Sequence, residues 1–150
     1  MSVTTDLLNG IAAMSAAAGV GTYSPAGMYT AVQTGIFMKI MPATPDRVIV
    51  LTAVNQGDNI TDPFGQIMVQ ARFRGLPGQP LDVDELGDSF FDIFHGTTGL
   101  VFASMGAVQM NRKVSVPNGM DDLKRWERID QYYLDVAFPP TVNRPAGGSW

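Results

Sequence analysis

Ile67, Val69, Ala71 and Phe73 alternate with Met68, Gln70, Arg72 and Arg74. Successive side chains of a strand point to opposite faces, so this period of two predicts a strand with one apolar row inward and a row ending in two arginines outward. Upstream, residues 47–54 (RVIVLTAV) are apolar at both parities, which suits a central strand buried on both faces. A second subunit is one way to cover the outer of those faces. The polar connection 55–65 carries Asp58 and Asp62, exceeds a tight hairpin turn, and is expected to project from the sheet.

Leu7, Leu8, Ile11, Met14 and Ala18 follow helical spacing, with Thr4 or Thr5 available as N-cap and Gly19 as stop. A second helix is predicted over 82–95. There Val83, Leu86, Phe90, Ile93 and Phe94 form an apolar stripe opposite Asp84, Asp88 and Asp92, and early acids favour a helix N-terminus. Two further strands are expected over 106–116 and 124–138, with Pro117, Asn118 and Gly119 marking the turn between them. The order helix, strand, strand, helix, strand, strand predicts an α+β fold: a largely antiparallel four-stranded sheet with two helices on one face.

Between the first helix and first strand, residues 20–46 hold Pro25, Pro42, Pro45 and several glycines among Tyr23, Tyr29, Phe37, Met38 and Met41. This reads as an irregular interaction segment, or as a cover for an edge of the chain's own sheet. Pro139, Pro140 and Pro145 cannot continue a central strand, so residues 139–150 are expected to form an extended arm tipped by Trp150. The remaining 1–138 would make a single domain, since 150 residues with 45% hydrophobic content fill one core.

Only 16% of residues are charged, below the roughly 25% usual for soluble domains. Uncharged surface costs little to bury against a partner, which points to assembly. The net charge is −4 and the basic residues are dispersed, which argues against tight nucleic-acid binding. With no cysteine, disulfides and thiol chemistry are excluded, and a reducing compartment such as a bacterial cytoplasm fits. Residues 11–20 lack a basic flank and read poorly as a signal peptide, and no segment reaches the ~18–20 apolar residues of a membrane span.

Catalytic motifs are missing. His95 is the single histidine, so neither a zinc site with HxxxH spacing nor a well-supported Ser-His-Asp triad can be drawn. It is expected at the C-terminal end of its helix, where the dipole favours an imidazole. Residues 82–93 begin like a calcium loop, but Leu86 and Ile93 stand where ligands are required. Gly19 and Gly21 are a fragment of GxGxxG following a helix instead of a strand, and read as a helix stop. The chain therefore reads as a non-enzyme without metal or cofactor. The Asp84, Asp88 and Asp92 stripe is either a solvated face or a surface that meets Arg72 or Arg74 of a neighbouring subunit.

Leu8 with Gly19-Val20, Tyr23, Gly35-Ile36, Met41-Pro42 and the run from Pro45 to Thr52 come in a familiar order. So do Gln70-Ala71-Arg72-Phe73-Arg74-Gly75, His95-Gly96, Arg125-Trp126-Glu127-Arg128, Tyr132-Tyr133, Pro139-Pro140-Thr141 and Arg144-Pro145. Together they resemble the tail terminators of long-tailed bacteriophages, a group often labelled minor capsid protein. The resemblance implies a virion protein, assembled in the host cytoplasm, that forms a hexameric ring capping the finished tail tube. Its partners would be further copies of itself, the tube protein, and the head connector or stopper. DNA would pass through without specific binding. Such a family brings no catalytic residues and no cofactor. Another neck protein and a small enzyme are the alternatives.

A cyclic ring needs two different complementary patches per subunit. Candidates are Arg72 and Arg74, the acidic stripe of Asp84, Asp88 and Asp92, and Trp150 as an aromatic anchor. Asp58 and Asp62 are candidates for the lumen wall, because a wall that attracted phosphates would hold DNA instead of letting it slide.

Overall fold

The computed structural model describes residues 2–144. Helix α1 runs Val3–Ala17, and its N-cap is Ser2, whose hydroxyl accepts from the Thr5 amide at 3.3 Å. Gly19 ends it at φ +82°, a left-handed conformation that glycine adopts without a Cβ penalty, and the Val20 amide folds back onto the Ser15 carbonyl. Helix α2 runs Asp82–Phe94 and buries Val83, Leu86, Phe90 and Phe94.

The strands are β1 (Gly35–Met38), β2 (Val48–Asp58), β3 (Phe64–Arg74), β4 (Thr97–Phe102), β5 (Met105–Met120) and β6 (Trp126–Ala137). They form one sheet in the order β1-β2-β3-β6-β5-β4, parallel between β1 and β2 and antiparallel elsewhere. The expected four-stranded, largely antiparallel sheet is thereby corrected to a six-stranded mixed sheet curled into a half-barrel.

The difference has physical sources. β1 is four residues long and lies in the segment read as irregular; its register comes from parallel pairing of Gly35 to Met38 with Val48 to Leu51, not from its own pattern. β4 is interrupted by Gly99 at φ +67° and is fixed by antiparallel pairing with β5. Pro117, Asn118 and Gly119 do not form the turn but lie inside β5, where the register against β6 shifts between Pro117 and Met120. The reversal comes later: the Asp121 carboxylate accepts from the amides of Leu123 and Arg125, and Lys124 adopts φ +58°.

Both helices pack on one face of the sheet. Leu7, Leu8 and Ile11 of α1 and Leu86, Phe90 and Phe94 of α2 join Ile49, Leu51, Val69, Phe73, Tyr132 and Leu134 in one core. Phe90 is its centre, with ring centroids 5.4 Å from Phe73, 4.5 Å from Phe94 and 5.4 Å from Tyr132. Each such side chain contributes about 1.5–3 kcal/mol by leaving water. On the opposite parity Val48 and Val50 are also fully buried, beside Arg74 and Arg72 in register.

Candidate assembly surfaces

The charged side chains in the middle of the sheet are satisfied within the chain. Arg128 donates from Nε and Nη2 to the two oxygens of Asp130, both at 2.9 Å, and Asp130 is fully buried. Ser115 Oγ and Arg112 Nη1 also donate to Asp130, at 2.6 and 3.4 Å. The remaining Arg128 nitrogen reaches α2, at 3.0 Å from Asp88 Oδ1 and 3.3 Å from Asp84 Oδ1. Hydrogen bonds to Asp130, working against desolvation, hold the Arg128 guanidinium charged well above its ordinary range. Gly87 makes the approach feasible: a Cβ there would stand 2.6 Å from Arg128 Cζ.

A second set of ion pairs fastens the 39–47 connection. Arg74 is 2% exposed and donates to the carbonyls of Pro42, Pro45 and Asp46 at 2.7, 2.7 and 2.8 Å. Burial, and then the neighbouring Arg125, lower its pKa from the ordinary arginine value. Arg125 bridges Asp121 at 2.8 Å and Asp46 at 2.9 Å, and Arg47 bridges Asp82 at 3.0 Å.

The residues singled out from sequence fall into these networks or around them. Arg72 lies on the sheet face away from the helices, paired with Glu127 at 3.1 Å, with its Nε buried and without a hydrogen-bond partner among the described residues. Arg74 is the clamp just described. Asp84 and Asp88 turn to Arg128 of their own chain, while Asp92 stands exposed. Asp58 and Asp62 shape the β2–β3 hairpin: Asn55 donates to Asp58 at 3.0 Å, and Asn59 and the Phe64 amide donate to Asp62, both at 2.9 Å. Trp150 lies outside the described residues. His95 follows α2, where its Nδ1 accepts from the Arg112 amide at 3.0 Å and its ring stacks on Phe91.

Not read from the sequence was the contrast between the sheet's margins. The outer edge of β1 is covered by its own chain: Thr22 exchanges bonds with Thr34 and Ile36 at 2.7 and 3.0 Å, and Tyr29 donates its hydroxyl to the Ile36 carbonyl at 2.6 Å. Among the described residues no hydrogen bond reaches the outer edge of β4. Among the same residues no group of three or more His, Asp or Glu could hold a metal ion, and no helix is long and apolar enough to cross a membrane.

This architecture recurs in a solved structure. A chain of the solved structure titled "Virion of native gene transfer agent (GTA) particle" superposes with a TM-score of 0.61, covering 91% of this chain and 99% of that one at 9% identity. That likeness shows the fold; the class, a structural protein of the phage tail, comes from sequence. A family model described as bacteriophage tail terminator protein matches residues 16–138, and the chain belongs to that family. No curated protein matches it in sequence.

Proposed function

We propose that the protein forms a closed ring of six copies at the head-proximal end of the tail tube, stops tube growth there, and presents the surface to which the head connector docks. The observation that carries this reading is the inequality of the sheet's two margins, β1 covered by its own chain and β4 left open by the described residues. A ring is built by repeating one contact between two different patches, whereas a two-fold dimer uses a single patch twice. The low charge of the chain favours burial of such patches.

In this reading residues 1–138 fold as one unit, and the arm from 139 reaches a neighbouring component, with Trp150 as its anchor. Arg72, the one outward arginine of β3 that keeps some exposure, meets an acidic surface such as Asp92 of the next copy. Asp58 and Asp62 line the DNA path on the projecting hairpin. Tube ends, head connector and passing DNA are the partners, and no cofactor takes part.

Electron microscopy of tails made with and without the protein tests the function. Tails of uncontrolled length in its absence, and a six-fold density at the head-proximal end in its presence, are the expected result; tails of normal length without it overturn the proposal. Arg72→Glu is expected to weaken incorporation, and unchanged incorporation removes that contact.

A further inference from the structure

The chain's charges are unevenly placed. No Asp, Glu, Lys or Arg occurs within residues 7–38 or 96–111. These two stretches supply the margins of the sheet, one through β1 and the loop outside it, the other through β4 and the first part of β5.

At the β4 margin Val101, Gly106 and Ala137 stand side by side across three strands. Together with Leu100 and Val108 they border a shallow apolar hollow. Val101 is 72% and Val108 53% exposed, and a Cβ at Gly106 would meet only the Ala137 Cβ, at 4.0 Å. Proteins ordinarily protect a free edge strand with charges, prolines or a covering segment. Residues 97–102 (TTGLVF) contain neither charge nor proline.

At the β1 margin the loop of residues 23–34 is stiffened from inside. Ser24 donates to the Tyr29 hydroxyl at 2.9 Å, and Thr30 and Gln33 exchange bonds at 2.8 and 3.2 Å. So held, the loop leaves Met28 78% and Val32 94% exposed. One margin is thus an uncharged hollow beside an edge that no other described residue pairs with, and the other an uncharged protrusion with two bare apolar side chains.

We infer that the β4–β5 hairpin of one copy receives the 28–32 loop of the next, with Met28 and Val32 lying against the hollow over Gly106. The inference rests on the ring reading and specifies its contact. A β4-to-β4 pairing would use one patch twice and leave Met28 and Val32 in water. Joining the two margins covers both through residues that carry no charge themselves, so little desolvation of ions opposes it.

The chain contains no cysteine, so Val32→Cys and Val101→Cys introduce its only thiols, at exposed positions that the fold does not depend on. Assembled tails carrying the double variant, treated with a flexible bis-maleimide linker, are expected to yield a covalent ladder ending at the full ring, while each single variant stays monomeric. Dimers from Val101→Cys alone overturn the inference in favour of β4-to-β4 pairing. An intact ring by mass with no ladder overturns it while the ring reading stands, and monomeric protein in the tails with no ladder overturns both. As a second measurement, Gly106→Lys keeps the melting temperature but puts a charge in the hollow. Its incorporation in competition with the unmodified chain is expected to fall at least about tenfold, and equal incorporation counts against the contact.

Discussion

Arg128 and Asp130, two residues apart on the same side of β6, form a bidentate ion pair beneath α2, and their remaining donors and acceptors are taken up by Ser115, Arg112, Asp84 and Asp88. Such a pair adds little over an apolar replacement of both partners, but losing one leaves a buried charge without compensation. Arg128→Ala is therefore expected to lower unfolding free energy by about 3–5 kcal/mol, read by urea denaturation. A loss below about 1 kcal/mol, the size typical of exposed pairs, would show that Asp130 is not committed to Arg128.

Gly87 sits where the Arg128 guanidinium crosses α2. Alanine in a helix is intrinsically favoured over glycine by about 1 kcal/mol, yet here its Cβ would collide with the guanidinium. Gly87→Ala is expected to destabilise by about 1–3 kcal/mol; a more stable variant by thermal denaturation would mean that the guanidinium moves aside freely.

The hydroxyl of Tyr132 is buried without a hydrogen-bond partner among the described residues, and desolvation, followed by the charge of Asp130, raises its pKa above the ordinary tyrosine value. A buried donor left unmatched costs about 1–3 kcal/mol. Tyr132→Phe should accordingly be as stable as the parent or more so, whereas Tyr132→Ala opens a core cavity and should lose several kcal/mol, on the order of 3–5. A marked loss in the phenylalanine variant would reveal an unrecognised partner for the hydroxyl.

Desolvation pushes the Asp121 carboxyl up, but hydrogen bonds from the Arg125 and Leu123 amides and from the Arg125 side chain outweigh it, and its pKa lies below the usual value. A depressed folded-state pKa gives stability that is complete above the unfolded value of about 3.9 and is lost as pH falls through the folded one. Asp121→Asn should remove that part of the acid sensitivity. Denaturation midpoints followed from about pH 5 to pH 2 should fall less steeply in the variant, and parallel curves would contradict the assignment.

Arg74→Met removes the three donors that hold the carbonyls of Pro42, Pro45 and Asp46. Faster amide exchange confined to residues 39–47 is the expected result. Exchange unchanged there would mean that Arg125 and Arg47 suffice to hold the connection.

Periodicity made α1, α2 and β3 legible, because each has one face against the common core and the spacing of Leu7, Leu8 and Ile11, of Val83, Leu86 and Phe90, and of Ile67, Val69 and Phe73 records that face; β2 was legible instead as a run apolar at both parities, with Val48 and Val50 buried on the other face. β1 and β4 were not legible, since four residues at Gly35–Met38 and a strand broken by Gly99 take their conformation from the neighbour they pair with. A proline–asparagine–glycine sequence is a strong local turn signal, but β5 absorbs it as a register shift because β6 continues opposite. For the candidate surfaces, residue type alone did not show that Arg74 is buried against its own chain, nor that Asp84 and Asp88, though more than half exposed, already face Arg128. The uncharged runs at 7–38 and 96–111 were present in the sequence throughout. Their meaning depends on both being brought to the sheet's margins.

The absence of charged residues from 7–38 and 96–111 leaves the margins electrically quiet, which sets the thermodynamic character of any contact made through them. Joining such surfaces draws its free energy from released water, so it carries a negative heat-capacity change and weakens on cooling. With no ions to screen at the margins themselves, added sodium chloride leaves that part of the contact nearly untouched, and the salt dependence of assembly falls to the pairing proposed for Arg72.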